Sequence, residues 1–305
     1  MNLSTLRRQI KFSHPLIYRL VSRVRPQRVQ IQTTSICNAN CDFCPYPEVA
    51  KEVPMGNMSD ELFEKVVKDG LAFGIKNYAL YLLNEPFVDP KIVDRISFVT
   101  KLGGKVELSS NGSLLSEKKG RAAFEAGLKY LVINMPSVVK EEYQRIVSKL
   151  NFDTVMANLE SLSHYHHDYQ AQVQIQINIR PGRDDETVKK AVAHWRERGL
   201  NVLTRRAMDW AGNLSTFSQD IYIHNLGGCS DFRELTDIYI LFNGDVILCC
   251  EDWRRTTHLG NAKEKDLEEI YFDRPYFEIR KKIQGLSQAQ ENFICRRCEF
   301  AIPRR

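Results

Sequence analysis

Six β-prone runs separated by helix-periodic stretches predict an α/β fold: a partial (β/α)6 barrel with a small C-terminal β-hairpin plus helix extension. Alternating strands and helices imply parallel strands joined by right-handed crossovers, and a full eight-fold barrel needs two more units than the chain supplies. After Trp210 the pattern changes to a Gly-, Asn- and Ser-rich stretch, followed by a hairpin signature at Asn243-Gly244.

Residues 1–28 are basic and partly amphipathic, and read as a leading helix that stops near Pro26. The strand runs are VQIQTTSI (29–36), YALYLL (78–83), KVELSS (105–110), YLVINM (130–135), QVQIQINI (172–179) and NVLTRR (201–206). SDELFEKVVKDGLAFG opens on Ser59, with Leu62, Val66, Val67 and Leu71 close to helical spacing. PKIVDRISFVTKLGG ends on two glycines, a helix stop, and SEKKGRAAFEAGLK and DDETVKKAVAHWRERG follow the same pattern. HYHH (164–167) is read as a solvated helix end, because successive helical positions do not face one point. Past the hairpin, LGNAKEKDLEEIYFDRPYFEIRKKIQ is helical with a break at Pro275. The expected units are 1–28, 29–210 and 211–305.

With 305 residues, 43% hydrophobic and 27% charged, the chain has ordinary globular composition. Its net charge of +5 is too mild and scattered to argue for nucleic acid. No run is long and apolar enough to span a membrane, and the N-terminus lacks the apolar core of a secretory signal. The eight cysteines are clustered rather than spread as staples, so reduced cytoplasmic thiols acting as metal ligands or catalysts are expected.

Cys37, Cys41 and Cys44 stand in CNANCDFC, just past the first strand. Three thiolates on one short loop bind three irons of a cubane cluster and leave the fourth open to a substrate or cofactor. The competing readings are a zinc site with a distant fourth ligand, or incidental core cysteines. CNANCDFC resembles the cluster loop of the radical S-adenosylmethionine (radical SAM) superfamily. That resemblance implies a [4Fe–4S] cluster held by Cys37, Cys41 and Cys44, with SAM chelating the open iron. It also implies an electron donor such as flavodoxin or ferredoxin. Reductive cleavage of SAM then yields a 5′-deoxyadenosyl radical that abstracts a substrate hydrogen atom.

LLNEP (82–86) resembles the family's GGEP motif, with Leu83 and Asn84 in place of both glycines, and points to Glu85 as a contact of the methionyl amine. SSNGSLL (109–115) resembles the segment near the ribose, which implicates Ser109 and Asn111. Phe43 occupies the place of an aromatic beside the adenine. MDWAGN (208–213) resembles the NRAGN segment after the sixth strand, with Asp209 and Trp210 as pocket residues or a capped strand end. Arg180, Arg205 and Arg206 end strands, where arginine clamps the SAM carboxylate or an anionic substrate, or is merely solvated.

The other five cysteines follow C…NGDVILCC…CxxC. This resembles the SPASM/twitch extension of many radical SAM enzymes and implies one auxiliary [4Fe–4S] cluster. Five thiols are too few for two auxiliary clusters. Matched to the family's GDVxxC, the ligands are Cys229, Cys249, Cys295 and Cys298, and Cys250 is left free, pointing the other way. A four-thiolate zinc site is the alternative.

The expected activity is that of a radical SAM oxidoreductase acting on a small polar molecule. Dehydrogenation of a sugar or aminocyclitol alcohol leads, with the auxiliary cluster as electron acceptor. Epimerisation with Cys250 as hydrogen donor follows, with Arg180 a further candidate in the catalytic set. Ribosomal peptide maturation is a third reading, and a non-catalytic zinc scaffold is the alternative of another class. No nucleic-acid partner is expected.

Overall fold

The computed structural model describes residues 12–22, 24–179, 185–214 and 220–304. A short helix, α1 (Pro15–Val21), opens them, with proline in its first turn and His14 as cap. The strands are β1 (Arg28–Ile31), β2 (Asn77–Ala79), β3 (Lys105–Ser110), β4 (Leu128–Asn134), β5 (Gln172–Ile179) and β6 (Asn201–Arg206). They pair in chain order and all in parallel, the partial barrel anticipated above.

The crossover helices start where the capping signals lie. In α2 (Asp60–Ala72), Ser59 Oγ accepts from Leu62 N at 3.2 Å while Leu62, Phe63, Val66 and Val67 are buried against the sheet. After α3 (Ile92–Lys101), Gly103 has φ +86°, a left-handed stop. Ser116 caps α4 (Glu117–Glu125). The β4–β5 crossover carries two helices, a short one at Lys140–Ile146 and α5 (Phe152–Tyr165). His166 at the end of α5 is buried, its Nδ1 3.1 Å from Leu162 O, so the HYHH run is only partly solvated: His164 and His167 are exposed. The helix α6 (Asp185–Glu197) completes the βα units.

The extension differs from a separate lobe. After β7 (Leu226–Cys229), β8 (Asp237–Ile240) pairs in parallel with β1 over four residue pairs. Next come β9 (Asp245–Ile247) and β10 (Gly260–Asn261), both antiparallel. One nine-stranded sheet, β10-β9-β8-β1-β2-β3-β4-β5-β6, therefore runs across the boundary expected near 210. The Asn243-Gly244 turn lies between β8 and β9, with Gly244 at φ +93°. The helical tail splits into α7 (Leu267–Phe272) and α8 (Arg274–Ile283), with Pro275 in the first turn of the second. The last strand, β11 (Ala301–Pro303), folds back antiparallel on β7 and brings the chain end to Cys229. No helix among the described residues is long and apolar enough to cross a membrane.

Candidate active site

A cavity of about 570 Å³ reaches the C-terminal ends of the parallel strands, within the size range of small-molecule sites. Cys37, Cys41 and Cys44 face it from the loop after β1, together with Phe43. That loop is tied down from several sides. Cys37 N donates to Tyr46 Oη at 2.8 Å, Asp42 N to Ile146 O at 3.0 Å, and Trp210 Nε1 to Phe43 O at 2.9 Å. Burial pushes the Cys37 and Cys44 thiols up to about 12 and Cys41 well above the ordinary thiol range. Such thiols make poor free nucleophiles; they ionise against a bound cation, which fits metal ligation.

The loop after β2 brings Leu82, Leu83, Asn84 and Glu85 to the same cavity. Leu83 has φ +56°, so leucine here adopts a backbone that glycine takes without strain. Glu85 is buried and accepts from Asn111 N (2.7 Å), Ser110 Oγ (2.8 Å) and Phe87 N (3.1 Å). Burial raises its carboxyl to about 7, against these hydrogen bonds, which pull it down. The end of β3 is thereby clasped to the loop after β2. Asn111 Nδ2 also donates to Asn38 Oδ1 at 2.9 Å, which joins the β3 end to the cysteine loop.

A row of polar side chains crosses the strand ends. Asn134 Nδ2 donates to Ser109 Oγ (3.0 Å), Gln176 Nε2 to Asn134 Oδ1 (3.0 Å), and the same Nε2 to Asn178 Oδ1 (3.2 Å). All four residues line the cavity. Sequence reasoning singled out only Ser109. The missed signal was the polar residues at alternate positions of QVQIQINI, which put one amide face of β5 inward. Arg205 and Arg206 line the cavity from the end of β6. Asn84 Nδ2 and Trp253 Nε1 are buried cavity-lining donors without a hydrogen-bond partner among the described residues, free to meet a ligand.

The two adjacent cysteines at the hairpin end diverge. Cys250 lines the cavity, its Sγ 3.4 Å from Arg233 Nη1. Arg233 is itself held by Glu251 (2.6 Å) and Asp231 (2.8 Å), with Phe300 under its guanidinium at 4.1 Å. Cys249 is buried and does not line the cavity; burial pushes its thiol well above the ordinary range, and the charges of Cys250, Glu251 and Cys295 add to that. Of the five back cysteines, Cys250 alone lines the cavity. All eight cysteines are free thiols. Among the described residues no three His, Cys, Asp or Glu side chains converge on a single-ion site.

Asp209 is buried but does not line the cavity, unlike its neighbours Met208 and Trp210. Burial raises the Glu251 and Glu299 carboxyls, and the nearby charge of Asp209 adds to the shift of both. Arg180 lies outside the described residues.

Residues 31–195 match the profile of the radical SAM superfamily, and residues 229–299 match SPASM, an iron–sulfur cluster-binding domain. An uncharacterised protein of Methanocaldococcus jannaschii is 24% identical over 212 residues, 68% of this chain and 67% of that protein. GTP 3′,8-cyclase of Alkaliphilus metalliredigens is 27% identical over 135 residues, and the match spans 43% of this chain and 42% of the cyclase. Among solved structures, Streptococcus suis SuiB bound to precursor peptide SuiA superposes with a TM-score of 0.70 at 16% identity, over 97% of this chain and 74% of SuiB. BtrN in complex with AdoMet and 2-DOIA gives 0.58 at 15% identity, over 86% and 88%. At these identities the likeness to the solved structures is one of fold.

Proposed function

Because the chain belongs to the radical SAM superfamily and carries a SPASM iron–sulfur domain, we propose that it oxidises an alcohol carbon of a small polar substrate, such as a sugar or aminocyclitol, to a carbonyl. Its cofactors are those of the family: SAM, a [4Fe–4S] cluster and an auxiliary [4Fe–4S] cluster. When bound, these supply hydrogen-atom abstraction and a one-electron sink. The observation that carries the reading is the single cavity that gathers the front cysteines, the Glu85 loop and the amide row.

In this reading Cys37, Cys41 and Cys44 hold the first cluster, and Cys229, Cys249, Cys295 and Cys298 hold the second. Glu85 receives the methionyl amine, Ser109 and Asn111 lie along the ribose, and Phe43 meets the adenine. Asn134, Gln176 and Asn178 supply the hydrogen bonds that orient a polyhydroxylated substrate, and Trp210 and Trp253 close the wall against water. Asp209 acts from behind that wall, through the Trp210 turn. An electron donor such as flavodoxin or ferredoxin serves the first cluster.

The position of Cys250 on the cavity wall supports a second reading, epimerisation with this thiol returning a hydrogen atom to the opposite face. Anaerobic reconstitution tests the common premise. About eight irons per chain are expected, falling to about four in the Cys37/Cys41/Cys44→Ala variant, with loss of 5′-deoxyadenosine formation. A zinc-filled, iron-free parent would end the reading. With an aminocyclitol panel, a carbonyl product supports dehydrogenation. Solvent deuterium in a product of unchanged mass class supports epimerisation.

A further inference from the structure

Arg28, Arg205, Arg206 and Arg233 line the cavity, and two of them are already neutralised. Arg28 pairs with Glu107 at 2.9 Å and with Asp237. Arg233 pairs with Glu251 at 2.6 Å and with Asp231 at 2.8 Å. Arg205 and Arg206 differ: both are exposed, and neither has a hydrogen bond or an ion pair among the described residues. At longer range Arg205 acts on Glu251 and Arg206 on Glu299, in each case as a lesser downward pull on a carboxyl that burial raises.

The pair stands on a fixed backbone. Arg205 is in register with Asn178 and Arg206 with Ile179, and Ala207 N donates to Ile179 O at 2.8 Å just beyond them. Asn178 ends the amide row that starts at Ser109 and passes through Asn134 and Gln176. Arg205 continues that row onto the next strand, so the polar face leads from a hydroxyl on β3 to a cation on β6. Neighbouring strands lie about 4.8 Å apart, so β4 to β6 spans roughly 10 Å, the reach of a small polyol with a charged group at one end.

We propose that the substrate carries an anionic group, a phosphate or a carboxylate, and that Arg205 and Arg206 bind it while the amide row orients the hydroxyls. This rests on the alcohol oxidation proposed above and narrows its substrate class. A guanidinium offers a planar fork of donors that matches an oxyanion, and these two have no carboxylate bonded to them. The carboxylate of SAM is the competing occupant. It adjoins the methionyl amine, which in the reading above meets Glu85 after β2, and β6 lies four strands further along the sheet.

The test is calorimetric titration of the anaerobically reconstituted holoenzyme with SAM present. The probes are glucose, glucose 6-phosphate, glucuronate, myo-inositol and inositol 1-phosphate. An anionic member is expected to bind at least about tenfold more tightly than its neutral counterpart. Arg205→Gln/Arg206→Gln is expected to abolish that preference and to bind SAM like the parent, and Arg205→Lys/Arg206→Lys to restore part of it. Both side chains are exposed, so the variants keep the parent's melting curve. Equal binding of neutral and anionic partners, binding of none, or a preference that survives in the glutamine variant overturns the proposal. So does loss of SAM affinity in that variant with the preference intact, which would give the arginines to the SAM carboxylate. A carbonyl formed from glucose or myo-inositol as readily as from the anionic probes upholds the oxidation and overturns the anion site. An anionic probe that binds through the arginines and is converted to a product without a new carbonyl upholds the anion site and refutes the oxidation.

Discussion

At the scale of single residues, two neighbouring cysteines have opposite surroundings. In the turn after β9, Cys250 lines the cavity beside Arg233 whereas Cys249 is buried and does not line it. Cys249→Ala is expected to lose about four irons per chain and Cys250→Ala to lose none, as measured by iron content after anaerobic reconstitution. Glu85 gives a second residue-scale expectation. Its carboxyl is raised to about 7 in the fold, so the folded chain keeps a proton that the unfolded chain releases above about 4.5. By linkage, its contribution to stability is present below about pH 4.5 and is lost as pH rises towards 7. Urea unfolding of the parent minus that of Glu85→Gln should show that slope. Glu85→Ala leaves Asn111 N and Ser110 Oγ without their acceptor, and is expected to cost about 1–3 kcal/mol per orphaned buried group.

At the scale of elements, the hairpin of β8 and β9 depends on its turn. Gly244 sits at φ +93°, and a Cβ there would stand 2.7 Å from Asn261 Oδ1. Gly244→Ala is expected to destabilise the protein by roughly 1–2 kcal/mol, read as a lowered melting temperature, with auxiliary iron lost before front-cluster iron. The turn was legible because Asn-Gly between two β-prone runs is a local signal. So were β3, β5 and β6, whose runs coincide with the strands. The β-prone run extends over 29–36, whereas β1 stops at Ile31. Beyond it Gln32 still donates to Ile240 O, but Ser35 turns to Gly56, which redirects the chain towards the cysteine loop. Residues buried by a loop and residues buried by a sheet look alike in hydrophobic pattern.

At the scale of the whole molecule, the extension is bonded into the barrel rather than appended to it. The pairing of β8 with β1 continues the sheet, and Arg28 in β1 pairs with Glu107 in β3 at 2.9 Å and with Asp237 in β8. A chain ended at residue 210 would expose the β1 edge and leave Arg28 without one of its two carboxylates. It is expected to aggregate or unfold without a cooperative transition, as seen by size-exclusion chromatography and thermal circular dichroism. A well-behaved monomer with a sharp melt would show that the two parts are independent.

The sequence alone determined what rests on local chemistry. The C-x3-C-x2-C spacing, the strand–helix alternation, the Asn-Gly turn and the capping serines are short-range signals, and they were enough for the fold class and the front cysteine loop. Only the tertiary structure decided what depends on which face meets which. It put Cys250 on the cavity side and Asp209 behind the wall, assembled the amide row from three strands, buried His166 at a helix end, and joined β8 to β1. Those outcomes are set by long-range packing and strand register; the alternation in QVQIQINI marks the polar face of β5 but not the strands and loops that this face meets.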